Sequence, residues 1–251
     1  MKIFRLLILL FAAGCATPLS IPPEFTEKVI ETPDFDFVVW QKLPQPNSPY
    51  KIYIEGDGHS FNAYGEPTFD PTPHGTFMRQ VAFADPHRNV VYMARACQFR
   101  QDKLCEQKYW TTARFAPEII AAQAEAIKQI VGANAVTLVG FSGGAQIAGL
   151  VAATHPEIKV TKIITIAGNL DHPAWTAYHH VPALTESLDL NDYRAAFFEI
   201  PQTHYAGSDD TIMPPFLIEN FADKTQRVVI VKGAEHNDGW DAVLPEIRGA
   251  D

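Results

Sequence analysis

The sequence predicts an α/β fold, a mostly parallel central sheet with helices on both faces, and three observations carry that reading. Short apolar runs rich in Val and Ile alternate with helical stretches through most of the 251 residues. Several of these runs are continuously apolar, as strands covered on both faces are. The composition is ordinarily globular, with 47% hydrophobic and 20% charged residues, which excludes a disordered or low-complexity chain. The length suits one domain with a large core.

Taken in order, the candidate strands are Phe35–Gln41, Tyr50–Ile54, Val90–Ala94, Val136–Phe141, Lys162–Ala167, Phe197–Ile200 and Val228–Val231. No helical pattern separates the first two, so they are expected to pair antiparallel at one edge. The clearest helix is Pro117–Val131. Pro117 suits its first turn, Ile119, Ile120, Gln123, Ala124, Ile127, Ile130 and Val131 share one face, and Gly132 ends it. Further helices are expected over Ala145–Thr154 and Pro215–Ala222. Two long irregular segments remain, Gly56–Gly75 and Asn169–Arg194, and loops of that length in a compact domain are usually functional. Within the second, taken as a small lid over about 169–194, Pro173–Leu190 reads as a cover whose aromatics border a pocket, or as a loop packed passively on the sheet.

Met1–Gly14 has Lys2 and Arg5 ahead of an apolar stretch, too short for a permanent span and built like a secretory signal. Cys15 follows Ala12-Ala13-Gly14 directly. This resembles a bacterial lipobox, except that Ala12 stands where the pattern prefers Leu. The resemblance implies lipidation of Cys15, anchorage to a membrane through that lipid, and, with Ala16 next, an outer-membrane address facing the periplasm. An ordinary signal cut nearby is the alternative. Residues 15–26 then read as a Pro-containing tether and 27–251 as the working domain. In an exported chain the remaining cysteines, Cys97 and Cys105, suggest one disulfide; a metal site is the other option, without a CxxC or second ligand pair beside them. The formal net charge of −9 argues against nucleic acid as a partner, since phosphates need a basic face.

The sharpest chemical feature is Gly140-Phe141-Ser142-Gly143-Gly144, between an expected buried strand and an expected helix. A nucleophilic Ser needs its oxygen exposed on a tight strand-to-helix turn, small neighbours allow that turn, and the helix N-terminus favours developing negative charge. At these residues the sequence resembles the α/β-hydrolase superfamily over nearly all of the chain after the leader. The resemblance implies the chain order Ser, acid, His. In Gly207-Ser208-Asp209-Asp210-Thr211-Ile212-Met213-Pro214 it selects Asp210, three residues after a Gly and four before a Pro, with Asp209 as the fallback. It selects His236, just beyond the final strand, as general base. It implies an oxyanion hole from the Gly143 N–H and an N–H in Ile54-Glu55-Gly56-Asp57-Gly58-His59, Asp57 first and Gly58 second. Glu55 replaces a His of the family's pattern, and its carboxylate would be unfavourable near an oxyanion unless turned away. The block from Ala94-Arg95-Ala96-Cys97-Gln98 to Tyr109-Trp110-Thr111 resembles a pattern in poorly characterised exported bacterial members of the superfamily, and its place after the Val90–Ala94 strand would put it at the active-site rim.

The expected function is therefore a serine hydrolase acting on a small-molecule ester or lipid. A non-catalytic envelope binding protein on the same fold and an acyltransferase are the rivals. No cofactor is implied, since neither a phosphate-binding Gly-Lys-Ser/Thr loop nor a GxGxxG fingerprint occurs. Asp57, His59, Asp70 and His74 share one loop, but their spacing fits no metal motif, and His179-His180 would face opposite ways on an extended chain.

Overall fold

The computed structural model describes residues 19–101 and 103–249. The leader and Cys15 lie outside the described residues. Eight strands form one sheet: β1 (Thr26–Glu31), β2 (Asp36–Lys42), β3 (Tyr50–Ile54), β4 (Asn89–Met93), β5 (Val136–Phe141), β6 (Val160–Ile166), β7 (Gln202–Gly207) and β8 (Arg227–Val231). Their spatial order is β1-β2-β4-β3-β5-β6-β7-β8. The pairs from β4 to β8 are parallel, while β2 runs antiparallel to both β1 and β4.

Every residue of β3, β4 and β5 is buried, as expected where both faces of a sheet are covered. Ile52, Ile54, Val91, Leu138, Val139 and Ile164 form its centre. Each buried aliphatic side chain of this kind contributes about 1.5–3 kcal/mol relative to exposure. The covering helices are α1 (Phe77–Phe83), α2 (Pro117–Val131), α3 (Gly143–Thr154), α4 (His172–His179), α5 (Arg194–Phe198), α6 (Pro215–Phe221) and α7 (Leu244–Gly249). The α2 helix follows its sequence pattern from end to end. Pro117 opens it, and Gly132, at φ 59°, receives the chain where it stops.

Four expectations are corrected. Phe197–Ile200 is not a strand: Phe197 closes α5 against α3, and the strand is Gln202–Gly207. Its polar residues concealed it, since Gln202, Thr203 and His204 are buried and the ring nitrogens of His204 lie 2.9 and 3.0 Å from the Thr165 hydroxyl and the Gln202 side-chain oxygen. The first two expected strands do not pair. An unforeseen edge strand, β1, flanks β2 on one side and β4 lies on the other, leaving β3 inside the sheet. The charged β1 sequence TEKVIE is exposed along most of its length and so lacks an apolar run. Asn169–Arg194 is not wholly irregular, because it contains α4, whose Asp171 accepts a capping bond from the Ala174 N–H. His179 and His180 therefore end a helix rather than lie on an extended chain.

Candidate active site

The β5–α3 junction bends so sharply that Ser142 adopts φ 49° and ψ −121°. A non-glycine residue at positive φ carries local strain of about 1–3 kcal/mol. The elbow is held by the Ser142 N–H on the Ile166 carbonyl at 3.0 Å, and by the Ala145 and Asn169 N–H groups donating to the Ser142 carbonyl. Gly144 allows the close approach of β3: a Cβ there would lie 2.4 Å from the Ile54 carbonyl oxygen.

Three side chains from three loops meet above this end of the sheet. The His236 Nε2 lies 3.1 Å from the Ser142 hydroxyl, and its Nδ1 lies 2.8 Å from Asp210 Oδ2. The other Asp210 oxygen accepts the Ile212 and Met213 N–H groups at 2.9 and 2.7 Å. Asp210 is therefore buried and fixed from both sides. Asp209 is exposed and accepts the neighbouring Ser208 hydroxyl, so the register of the Gly207–Pro214 loop brings Asp210, and not Asp209, to the imidazole. The His236 ring packs on Phe141 at 5.1 Å between centroids, and the buried Trp240 indole donates to the His236 carbonyl.

The N–H groups of Gly143 and Asp57 have no acceptor among the described residues. Asp57 touches the elbow directly: a Cβ on Gly143 would fall 2.1 Å from an Asp57 carboxylate oxygen. The Gly58 N–H likewise has no acceptor among the described residues, and at φ 64° a Cβ on Gly58 would meet Pro71 and Gln98. The Asp57 carboxylate is paired with both Arg95 and Arg114. Burial pushes its carboxyl up, but the two guanidinium groups outweigh burial and hold it below the usual carboxylate range. Glu55 turns its carboxylate to the Tyr92 hydroxyl at 2.7 Å and the Gly56 N–H at 2.9 Å. Burial raises both the Glu55 carboxyl and the Tyr92 phenol.

A cavity of about 730 Å³ opens over Ser142 and His236. Phe77, Met78, Phe141, Trp175, Met213 and Trp240 give it apolar walls, and His59, His74, Asp238 and Asp241 are among its polar lining. Trp175 borders it, whereas Tyr178 does not line it and packs on Phe216. The His59 and His74 rings stack at 4.0 Å, and no group of three or more metal-ligating side chains forms among the described residues. Cys97 and Cys105 are joined in a disulfide, with Cα atoms 5.5 Å apart. The Gln98 beside it donates to the Gly56 carbonyl at 2.9 Å, which ties this loop to the one bearing Asp57. Sequence reasoning gave Arg114 no role, because an isolated Arg in TTARF carries no motif; Arg95 stood out only as part of the cysteine block.

No protein-family model matches the chain, and no curated protein matches it. Solved structures do. An α/β serine hydrolase without lid from Xanthomonas campestris superposes with a TM-score of 0.56 at 17% identity, covering 93% of this chain and 94% of its own. An esterase of Pyrococcus furiosus gives 0.59 at 13%, covering 90% and 87%. A thioesterase domain from the curacin biosynthetic pathway gives 0.59 at 15%, covering 89% and 97%. The sheet order, the strand-to-helix elbow and these superpositions together establish that the chain has the α/β-hydrolase fold.

Proposed function

We propose that the protein is a serine hydrolase that cleaves carboxylic esters. The observation that carries this reading is the continuous relay of Ser142, His236 and Asp210, with 3.1 and 2.8 Å between partners. The Ser142 oxygen attacks the ester carbonyl carbon while His236 Nε2 takes its proton. Asp210 holds the imidazole orientation and stabilises its charged form. The tetrahedral oxyanion accepts hydrogen bonds from the Gly143 and Asp57 N–H groups. Its collapse expels the alkoxide, which takes the proton from His236 and leaves an acyl-Ser142. Water, deprotonated by His236, then attacks the acyl carbon, and a second collapse releases the carboxylic acid and returns the proton to Ser142.

Esters fit best because an alkoxide needs less assistance to leave than an amine. The apolar walls at Phe77, Met78, Trp175 and Trp240 suit the hydrocarbon part of a small ester or a lipid. The disulfide supports export to an oxidising compartment, in line with lipidation at Cys15 and an outer-membrane site.

A fluorophosphonate probe tests the central claim. The folded wild type should label at Ser142, and S142A should neither label nor turn over a chain-length series of activated esters while unfolding like wild type. A folded wild type that does not label would remove the reading.

A further inference from the structure

The carboxylate against Gly143 poses an electrostatic problem that rests on the serine-hydrolase reading. If Asp57 donates its N–H to an oxyanion, its own negative side chain lies beside the charge it must stabilise, and like charges at short range in a half-buried site repel. Two arginines answer it. Arg95 Nη1 pairs with one Asp57 oxygen and Arg114 Nη1 with the other, so the three groups together carry one net positive charge. Arg95 and Arg114 are themselves buried, at 5% exposure each, and neither is free to swing. Arg95 Nη2 donates to the Arg114 carbonyl at 2.7 Å, and Arg114 Nε donates to the Thr111 carbonyl at 2.7 Å. The guanidinium of Arg95 lies over Phe115 at 5.1 Å, and that of Arg114 over Phe61 at 5.5 Å. The Arg95 N–H also reaches the side-chain oxygen of Gln98, whose amide holds the Gly56 carbonyl. Both sides of the Asp57 residue are thereby fixed, its carboxylate by the arginines and the peptide before it by Gln98.

We propose that Arg95 and Arg114 are positioning residues of the hydrolysis: by clamping the Asp57 carboxylate they aim its main-chain N–H at the oxyanion and make the wall behind that oxyanion net positive. Neither needs to touch substrate. Gly143 is part of the device, because any side chain there would displace the clamped carboxylate. Such an arrangement acts on the transition state more than on the bound ester, since the oxyanion exists only in the former.

The test uses the full domain, with folding of each variant checked by its denaturant midpoint. R114Q should lower kcat by about 10–100-fold, the range expected for a misaligned oxyanion donor, with KM changed less than about threefold. Fluorophosphonate should still label Ser142, because the Ser142–His236 contact is untouched. R114K, which keeps the charge, should recover most of the loss. D57N/R114Q, which removes the uncompensated carboxylate, should turn over faster than R114Q but slower than R114K. An unchanged kcat in R114Q, a loss confined to KM, or a double variant no faster than R114Q would overturn the proposal while wild-type labelling keeps the serine hydrolase standing. Should R114Q fail to fold, the ranking of R114K above D57N/R114Q decides, and the reverse order overturns it. Absence of labelling in the wild type would instead remove the hydrolase reading itself.

Discussion

At the scale of single residues, two adjacent acids separate by what surrounds them. Asp210 is buried, takes two main-chain N–H groups and meets the imidazole, whereas Asp209 faces solvent. Replacing Asp210 by Asn leaves the shape but no longer holds the imidazole in the tautomer that can accept the Ser142 proton. D210N should therefore lose about 10³–10⁴-fold in kcat, and D209N less than about fivefold, as steady-state ester hydrolysis would measure; the opposite ranking would move the acid by one position. That Ser142, His236 and Asp210 meet was legible from the glycine-rich elbow, the register of the Gly207–Pro214 loop and the chain order that the family resemblance implies. The partners of Asp57 were not. Arg95 and Arg114 reach it from 38 and 57 residues away, and a contact of that separation leaves no spacing to read.

At the scale of elements, the strand-to-helix elbow works because β3 and α3 come very close. A methyl group at position 144 would meet the Ile54 and Glu55 carbonyl oxygens at 2.4 and 2.5 Å, and main chain cannot yield as a flexible side chain does. G144A should destabilise the fold by about 1–3 kcal/mol, the usual cost of overpacking, visible as a lower urea midpoint with an unchanged m-value; an unaltered midpoint would show that the strand can shift without cost. The parallel strands β3, β4, β5 and β6 were readable because burial on both faces enforces continuous apolar runs. β1 and β7 were not, for opposite reasons. The first is exposed and charged, while the second is buried but satisfies polar side chains internally through His204.

At the scale of the whole molecule, that same histidine ties stability to acidity. Burial lowers His204 from 6.5 to about 4. In the unfolded chain it takes up a proton near pH 6.5, whereas the native protein refuses one until about pH 4. Stability is therefore fully present above pH 6.5 and declines as the pH falls toward 4, by about 3 kcal/mol in total from this group. His172, also lowered by burial, acts in the same sense. H204Q should flatten the slope of unfolding free energy between pH 6 and 4.5, as denaturant titrations at stepped pH would show; an identical slope would mean that His204 is charged in the native state.

The final strand gives the assembled protein one more property. β8 lies at the far rim of the sheet with only Val231 of its five residues buried, and the imidazole rides on the turn just past it. Fraying of that rim would disarm the protein while leaving the hydroxyl and its elbow intact. Recovery of turnover during refolding would then report the docking of this edge strand.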